Sequence, residues 1–81
     1  MKNLNGYDAL VADRNEEAVR WLRDAVVYEP KVAICWFDLG IAYERLGNSA
    51  AASTAYQRAH ELEPNNEEYL DAALDAAEDS N

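Results

Sequence analysis

The stretch that decides the fold is residues 33–66, AICWFDLGIAYERLGNSAAASTAYQRAHELEPNN. Its first half carries apolar side chains at helical intervals, and Trp36, Leu39 and Tyr43 share one face. A second apolar stripe follows over 50–62, and its members are Ala52, Tyr56, Ala59 and Leu62. The spacing therefore predicts two helices, over 33–46 and 50–62.

A glycine stands in the middle of the first predicted helix. Gly40 lies between Leu39 and Tyr43, where glycine costs roughly 1 kcal/mol relative to alanine. A glycine at such a position needs a packing reason, and we expect the second helix to press closely against it. The small residues Ala52 and Ala59 are the natural contacts of the first helix.

Turn-forming residues separate the predicted helices. Gly47 can adopt the positive φ that closes the first helix, and Asn48 or Ser49 can cap the second. Pro64 is expected to end the second helix. Asn65 is expected to cap a third helix.

This stretch resembles the tetratricopeptide repeat, whose pattern runs W-x2-L-G-x2-Y, then A-x3-F, then P. The residues that carry the resemblance are Trp36, Leu39, Gly40, Tyr43, Ala52, Tyr56, Ala59 and Pro64, with Tyr56 in place of the usual phenylalanine. The resemblance implies an all-α fold of antiparallel helix-turn-helix repeats, stacked in a short right-handed superhelix of about five helices. An ordinary helical hairpin with accidental agreement is the alternative.

The same pattern occurs earlier in the chain in a weaker form. Ala18 falls on Ala52, and the same shift places Pro30 on Pro64. This predicts a helix from about residue 14 or 15 to residue 28, with a buried stripe of Ala18, Leu22 and Ala25 and with Trp21 alongside. The preceding helix, over 1–12, keeps little of the pattern.

We therefore expect a single domain over 1–81 with three parts. A degenerate first repeat spans 1–32, a well-formed repeat spans 33–66, and a capping helix spans 67–79. The apolar face of that last helix comprises Tyr69, Leu70, Ala73, Ala76 and Ala77. A polar outer face on a terminal helix keeps a repeat array soluble.

Charge narrows the classes of partner. The chain has seven Lys and Arg against sixteen Asp and Glu, a formal net charge of −9. All the basic residues lie at or before Arg58, whereas 59–81 hold eight acids. Nucleic acid is not expected as a partner, because a phosphate backbone requires a basic face. A partner protein with a basic segment is the more natural expectation.

The expected setting of the chain is the cytoplasm. Cys35 is the only cysteine, so no internal disulfide can form and a reducing compartment is expected. No apolar run approaches the roughly 20 residues that cross a membrane, and the first residues lack a signal-peptide pattern.

The resemblance implies a binding site. Leading helices of tetratricopeptide repeats line a concave groove that binds peptides or a helix of a partner. Carried onto this chain, the groove would present Ile34, Phe37, Asp38, Ile41 and Arg45, with Glu44 at its edge. Its far wall would be the acidic row Glu68, Asp71, Asp75 and Glu78.

Each part of this groove has a second interpretation. The apolar residues Ile34, Phe37 and Ile41 form either a ligand-binding floor or a patch covered by neighbouring helices. The acidic row either steers a basic segment or serves only as a solvated face.

Catalysis and cofactors have no support in the sequence. His60 is the only histidine, and no recognisable spacing places a base near Cys35, so no catalytic residue is predicted. No metal and no cofactor is expected, because no His or Cys cluster has ligand spacing. The leading hypothesis is an adaptor or scaffold that binds another protein. The alternative is self-association through open repeat ends, with Leu4, Leu10 and Val11 as candidate contacts.

Overall fold

The computed structural model describes residues 14–79, which form four α-helices joined by short loops. The helices are α1 (Asn15–Tyr28), α2 (Ala33–Arg45), α3 (Ser49–Leu62) and α4 (Glu67–Asp79). Each helix packs against the next one along the chain. The all-α repeat architecture is thereby confirmed over the described residues. The predicted first helix, over 1–12, lies outside them.

The turn between α2 and α3 follows the sequence prediction. Gly47 has a φ of 81°, the left-handed conformation that glycine adopts without steric cost, and its N–H donates to the carbonyl of Glu44 at 2.9 Å. The side chain of Asn48 accepts a hydrogen bond from the N–H of Ala51 at 3.1 Å, and so caps α3.

The cap of α4 is Asn66, and the prediction of Asn65 was wrong by one residue. The Oδ1 atom of Asn66 accepts from the N–H groups of Glu68 at 3.0 Å and Tyr69 at 3.4 Å. Asn65 lies instead within a turn, which the N–H of Asn66 closes by donating to the carbonyl of Glu63 at 3.1 Å. Either of two adjacent asparagines could cap the helix as far as the sequence shows, and the geometry of the turn makes the second one the cap.

The absence of a side chain at Gly40 leaves room for the Tyr56 ring of α3. A Cβ at position 40 would lie 2.9 Å from Cζ of the Tyr56 ring and closer still to Cδ1 and Cε1. Real carbon atoms do not approach so closely, so only glycine lets the ring occupy this place beside the α2 backbone. Tyr56 is 2 % exposed, which makes it the largest fully buried side chain. The predicted packing reason is confirmed.

The core consists mainly of alanines, because the helices approach closely. Its buried apolar members are Ala18, Leu22, Val26, Ala33, Leu39, Ala42, Ala52, Ala55, Tyr56, Ala59, Tyr69, Ala73 and Ala76. Two expected members differ. Val26 replaces Ala25, which is half-buried, and Ala55 is buried whereas Leu62 is half-buried. Leu70 is 37 % exposed, and Trp21 is 47 % exposed.

Trp36 joins three parts of the fold. Its Nε1 donates to the carbonyl of Pro30 at 2.8 Å and so ties α2 to the start of the preceding loop. Its ring packs against the cluster that contains Ala59, and the guanidinium of Arg58 lies 6.0 Å from the ring centroid. That distance is within the range of a cation–π interaction.

The contact between Gly40 and Tyr56 gives a prediction for stability. Gly40→Ala should lower the free energy of unfolding by about 1–3 kcal/mol, because overpacking outweighs the roughly 1 kcal/mol gained in helix propensity. Urea unfolding followed by circular dichroism measures the change.

A compensating variant identifies the cause. In a Tyr56→Leu background, Gly40→Ala should cost much less, because the ring that it displaces has been removed. Gly40→Ala with equal effects in the two backgrounds would show that the ring is not the obstacle.

Candidate interaction surface

Six of the nine predicted binding residues form three pairs at equivalent positions of two helices that contact each other. The repeat shift, which carries Ala18 onto Ala52, also places Ile34 on Glu68, Phe37 on Asp71 and Ile41 on Asp75. The helices meet through the rings of Phe37 and Tyr69, whose centroids are 4.9 Å apart. We call the surface built from Ile34, Phe37, Asp38, Ile41, Glu44, Arg45, Glu68, Asp71 and Asp75 the α2–α4 face.

The apolar part of this face is mostly covered. Phe37 is half-buried, and its ring packs against Tyr69 and against Tyr56, whose centroid is 5.5 Å away. Ile41 is also half-buried and packs against two core clusters. Ile34, in contrast, is 50 % exposed. Between the two alternatives, the structure therefore favours a covered patch at Phe37 and Ile41 and an accessible one at Ile34.

Asp38 is the buried acid among the residues of the α2–α4 face. It is 9 % exposed, which leaves little of it available to a ligand. Burial raises the pKa of its carboxyl group, because the charged form is poorly solvated there. Its charge contributes, after burial and the charge of Glu63, to the raised pKa of Tyr69. The sequence placed Asp38 on the binding face, and in the structure its side chain is almost wholly buried.

The edge of the face is tied to the core by one hydrogen bond. The hydroxyl of Tyr56 donates to Oε1 of Glu44, which is an exposed residue at the end of α2. Burial, followed by this bond and the charge of Glu44, raises the pKa of Tyr56. The bond orients the Glu44 carboxylate relative to the face.

The acidic residues of α4 on this face, which we call the acidic wall, are exposed. Glu68, Asp71 and Asp75 all lie in solvent on α4. No lysine or arginine occurs in 59–81, so basic residues of that segment cannot neutralise them. The wall is therefore a concentrated negative surface on α4, and its Glu68 occupies the position equivalent to Ile34.

A second concave surface lies on the opposite face of α2. A groove of about 710 Å³ runs between α1 and α3, and Trp36, Leu39 and Tyr43 form its floor. Arg20 and Arg23 line its α1 side. We call it the α1–α3 groove. The sequence analysis missed it, because the three floor residues were assigned only to packing.

A comparison with known protein families identifies the repeat. The profile of the tetratricopeptide repeat matches residues 33–66, which span α2, α3 and the turn that follows. Residues 33–66 are a tetratricopeptide repeat. No curated protein matches the chain. Repeats of this family generally mediate protein–protein interaction and are typically non-catalytic modules.

Three further observations describe the chemistry of the described residues. Burial, followed by the charges of Asp38 and Glu29, raises the pKa of Cys35 and so disfavours the reactive thiolate. Within residues 14–79, no group of three His, Cys, Asp or Glu side chains could hold a metal ion. None of the four described helices is long and apolar enough to span a membrane.

The buried carboxyl group of Asp38 gives a prediction for pH. A folded pKa above the unfolded value means that folding is favoured when the group is protonated, and that this stability is lost as pH rises through the folded pKa. Asp38→Asn should therefore raise the free energy of unfolding at pH 7. The difference should shrink below the ordinary pKa of 3.8, where the aspartate is neutral in both states.

The matched control is the exposed acid Asp75, which lies on the same face. Asp75→Asn should change stability by less than Asp38→Asn at pH 7, because solvent already stabilises its charge. Urea unfolding at several pH values measures both variants. A destabilised Asp38→Asn variant would mean that a contact with the charged form outweighs the cost of its burial.

Proposed function

We propose that this chain is an adaptor that binds a basic peptide or helix of a partner protein across the α2–α4 face. The observation that carries the proposal is the shared repeat position of Ile34 and Glu68. An exposed isoleucine and exposed carboxylates occupy equivalent positions of two contacting helices. Such a face can bury one apolar side chain and pair the basic residues on either side of it.

The two parts of the face contribute differently to binding. Covering the exposed half of Ile34 contributes about 1 kcal/mol, as part of the 1.5–3 kcal/mol for full burial of an aliphatic side chain. The carboxylates of Glu68 and Asp75 attract a cationic segment and raise the association rate more than the affinity. The partner that fits therefore carries lysines or arginines around one apolar residue.

The covered residues act as support for this face. Phe37 is fixed between the rings of Tyr56 and Tyr69, so α2 and α4 keep their relative positions when a ligand arrives. A preformed face loses little conformational entropy on binding. We also place this interaction in the cytoplasm, in keeping with the single free thiol of Cys35.

A pair of defined peptides tests the proposal. One is a labelled amphipathic peptide with leucine and lysine, and the other has glutamate in place of each lysine. The lysine peptide should bind, and the glutamate peptide should not. Glu68→Lys/Asp75→Lys should lower the affinity for the lysine peptide by roughly tenfold, mainly through a slower association rate.

The control variant changes charge equally at a distance from the α2–α4 face. Glu16→Lys/Glu61→Lys alters two exposed acids on α1 and α3, and it should retain most of the affinity. Stopped-flow association and fluorescence anisotropy measure the rates and affinities. Equal losses in the two variants would contradict a specific site, because net charge alone would then explain binding.

Ile34 tests the apolar part separately. Ile34→Ala should lower the affinity for the lysine peptide. The dissociation rate should rise while the association rate changes little, because apolar contacts form only after the two molecules have met. Retained affinity in Ile34→Ala would remove the isoleucine from the site.

A further inference from the structure

The outer side of α4 carries an apolar ridge that no described helix covers. Leu70, Leu74 and Glu78 recur at every fourth position, and Asp71 adjoins them. Leu70 is 37 % exposed and Leu74 is 57 % exposed. We call Leu70, Asp71, Leu74 and Glu78 the outer ridge of α4.

The repeat register shows that the equivalent positions of α2 pack against another helix. The repeat shift, which places Ile34 on Glu68, also places Trp36 on Leu70 and Gly40 on Leu74. In α2 those two positions face α3, since Gly40 meets Tyr56 and Trp36 packs against the cluster of Ala59. The outer ridge is thus equivalent to a helix-packing face, yet among residues 14–79 its two leucines stay partly exposed.

The α1–α3 groove has the complementary chemistry. Its floor of Trp36, Leu39 and Tyr43 is apolar, and the exposed Val27 adds to its α1 side. Its volume of about 710 Å³ lies within the range of roughly 300–1,000 Å³ that encloses a ligand of drug size. Two leucine side chains one helical turn apart require less space than that.

The charges around the groove are mainly positive. Arg20 and Arg23 line it, and Arg58 lies over the ring of Trp36. Asp24 is the one acid among the lining residues. The α3 side contributes the uncharged Ala51, Thr54 and Ala55. Arginines at an apolar groove favour an acidic amphipathic helix as occupant.

We propose that the outer ridge of α4 docks into the α1–α3 groove of a second copy of this chain. Leu70 and Leu74 then cover the floor at Trp36 and Leu39, while Asp71 and Glu78 lie beside Arg20 and Arg23. Pairing of α4 with α4 is disfavoured, because both ridges are acidic and like charges across an interface repel. This inference does not depend on the proposed binding of a basic partner, but Asp71 belongs to both surfaces, so the two contacts would compete for it.

Charge exchange between two variants is the decisive experiment. Arg20→Glu/Arg23→Glu reverses the charge of the α1–α3 groove, and Asp71→Arg/Glu78→Arg reverses the charge of the outer ridge. Sedimentation equilibrium should show concentration-dependent association of the natural chain, weakened at least about tenfold in each variant alone. An equimolar mixture of the two variants should associate again, because each reversed surface then finds a complementary one.

A salt titration would be less informative. Rising salt screens the attraction at the contact, and it also screens the repulsion between two chains of net charge −9. The mixture avoids this ambiguity, since both variants are measured in one buffer.

Matched controls separate the contact from net charge and from folding. Arg14→Glu/Lys31→Glu changes the net charge as much as the groove variant does, but at residues that do not line the α1–α3 groove. Glu16→Arg/Glu61→Arg does the same for the ridge variant. Both controls should self-associate like the natural chain. All the altered residues are exposed, and far-ultraviolet circular dichroism should show unchanged helix content.

Several outcomes would overturn the proposal. A natural chain that stays monomeric up to about 1 mM excludes a useful self-contact and leaves the groove to an acidic helix of another protein. Association that either variant leaves unchanged places the contact elsewhere. A mixture that does not associate shows that these charges do not face each other.

Discussion

The contact of the Tyr56 ring with the backbone at Gly40 is the constraint on which the rest of the described structure depends. It sets the closeness of α2 and α3, and that closeness explains why Ala52 and Ala59 are buried with no exposed surface. The same ring lies 5.5 Å from Phe37, which in turn lies 4.9 Å from Tyr69 on α4. One aromatic series therefore connects three helices, and its polar end donates to Glu44 at the surface.

This arrangement has a consequence for binding. Phe37 and Ile41 point away from the Trp36–Tyr43 face of α2, where the sequence alone allows them to be a ligand floor. The structure uses them to hold α4, which leaves Ile34 as the exposed apolar residue of the face. A face of this kind gains its specificity more from charge than from apolar area, since one half-exposed isoleucine contributes only about 1 kcal/mol. The acidic α4 supplies that charge.

The two faces of α2 carry surfaces of opposite character. The side of Ile34 adjoins the acids of α4, whereas the side of Trp36 forms the floor of a groove lined by Arg20 and Arg23. The cause is the uneven distribution of charge along the chain, whose basic residues all lie at or before Arg58. Because helices in a repeat stack in chain order, a charge gradient along the sequence becomes a charge gradient across the molecule.

The sequence by itself determined the four described helices, the repeat register that carries Ala18 onto Ala52 and the reason for Gly40, because these depend on local periodicity and on residues with restricted backbones. It also identified the turn at Gly47 and Asn48, since positive φ and capping are local properties. Only the tertiary structure decided that Asn66 rather than Asn65 caps α4, that Phe37 is covered and that Asp38 is buried. The cap depends on the turn that the N–H of Asn66 closes with Glu63. The other two outcomes depend on which helix lies across which face, and periodicity within one helix carries no information about its neighbour. For the same reason the α1–α3 groove, formed by three helices together, emerges only from the fold.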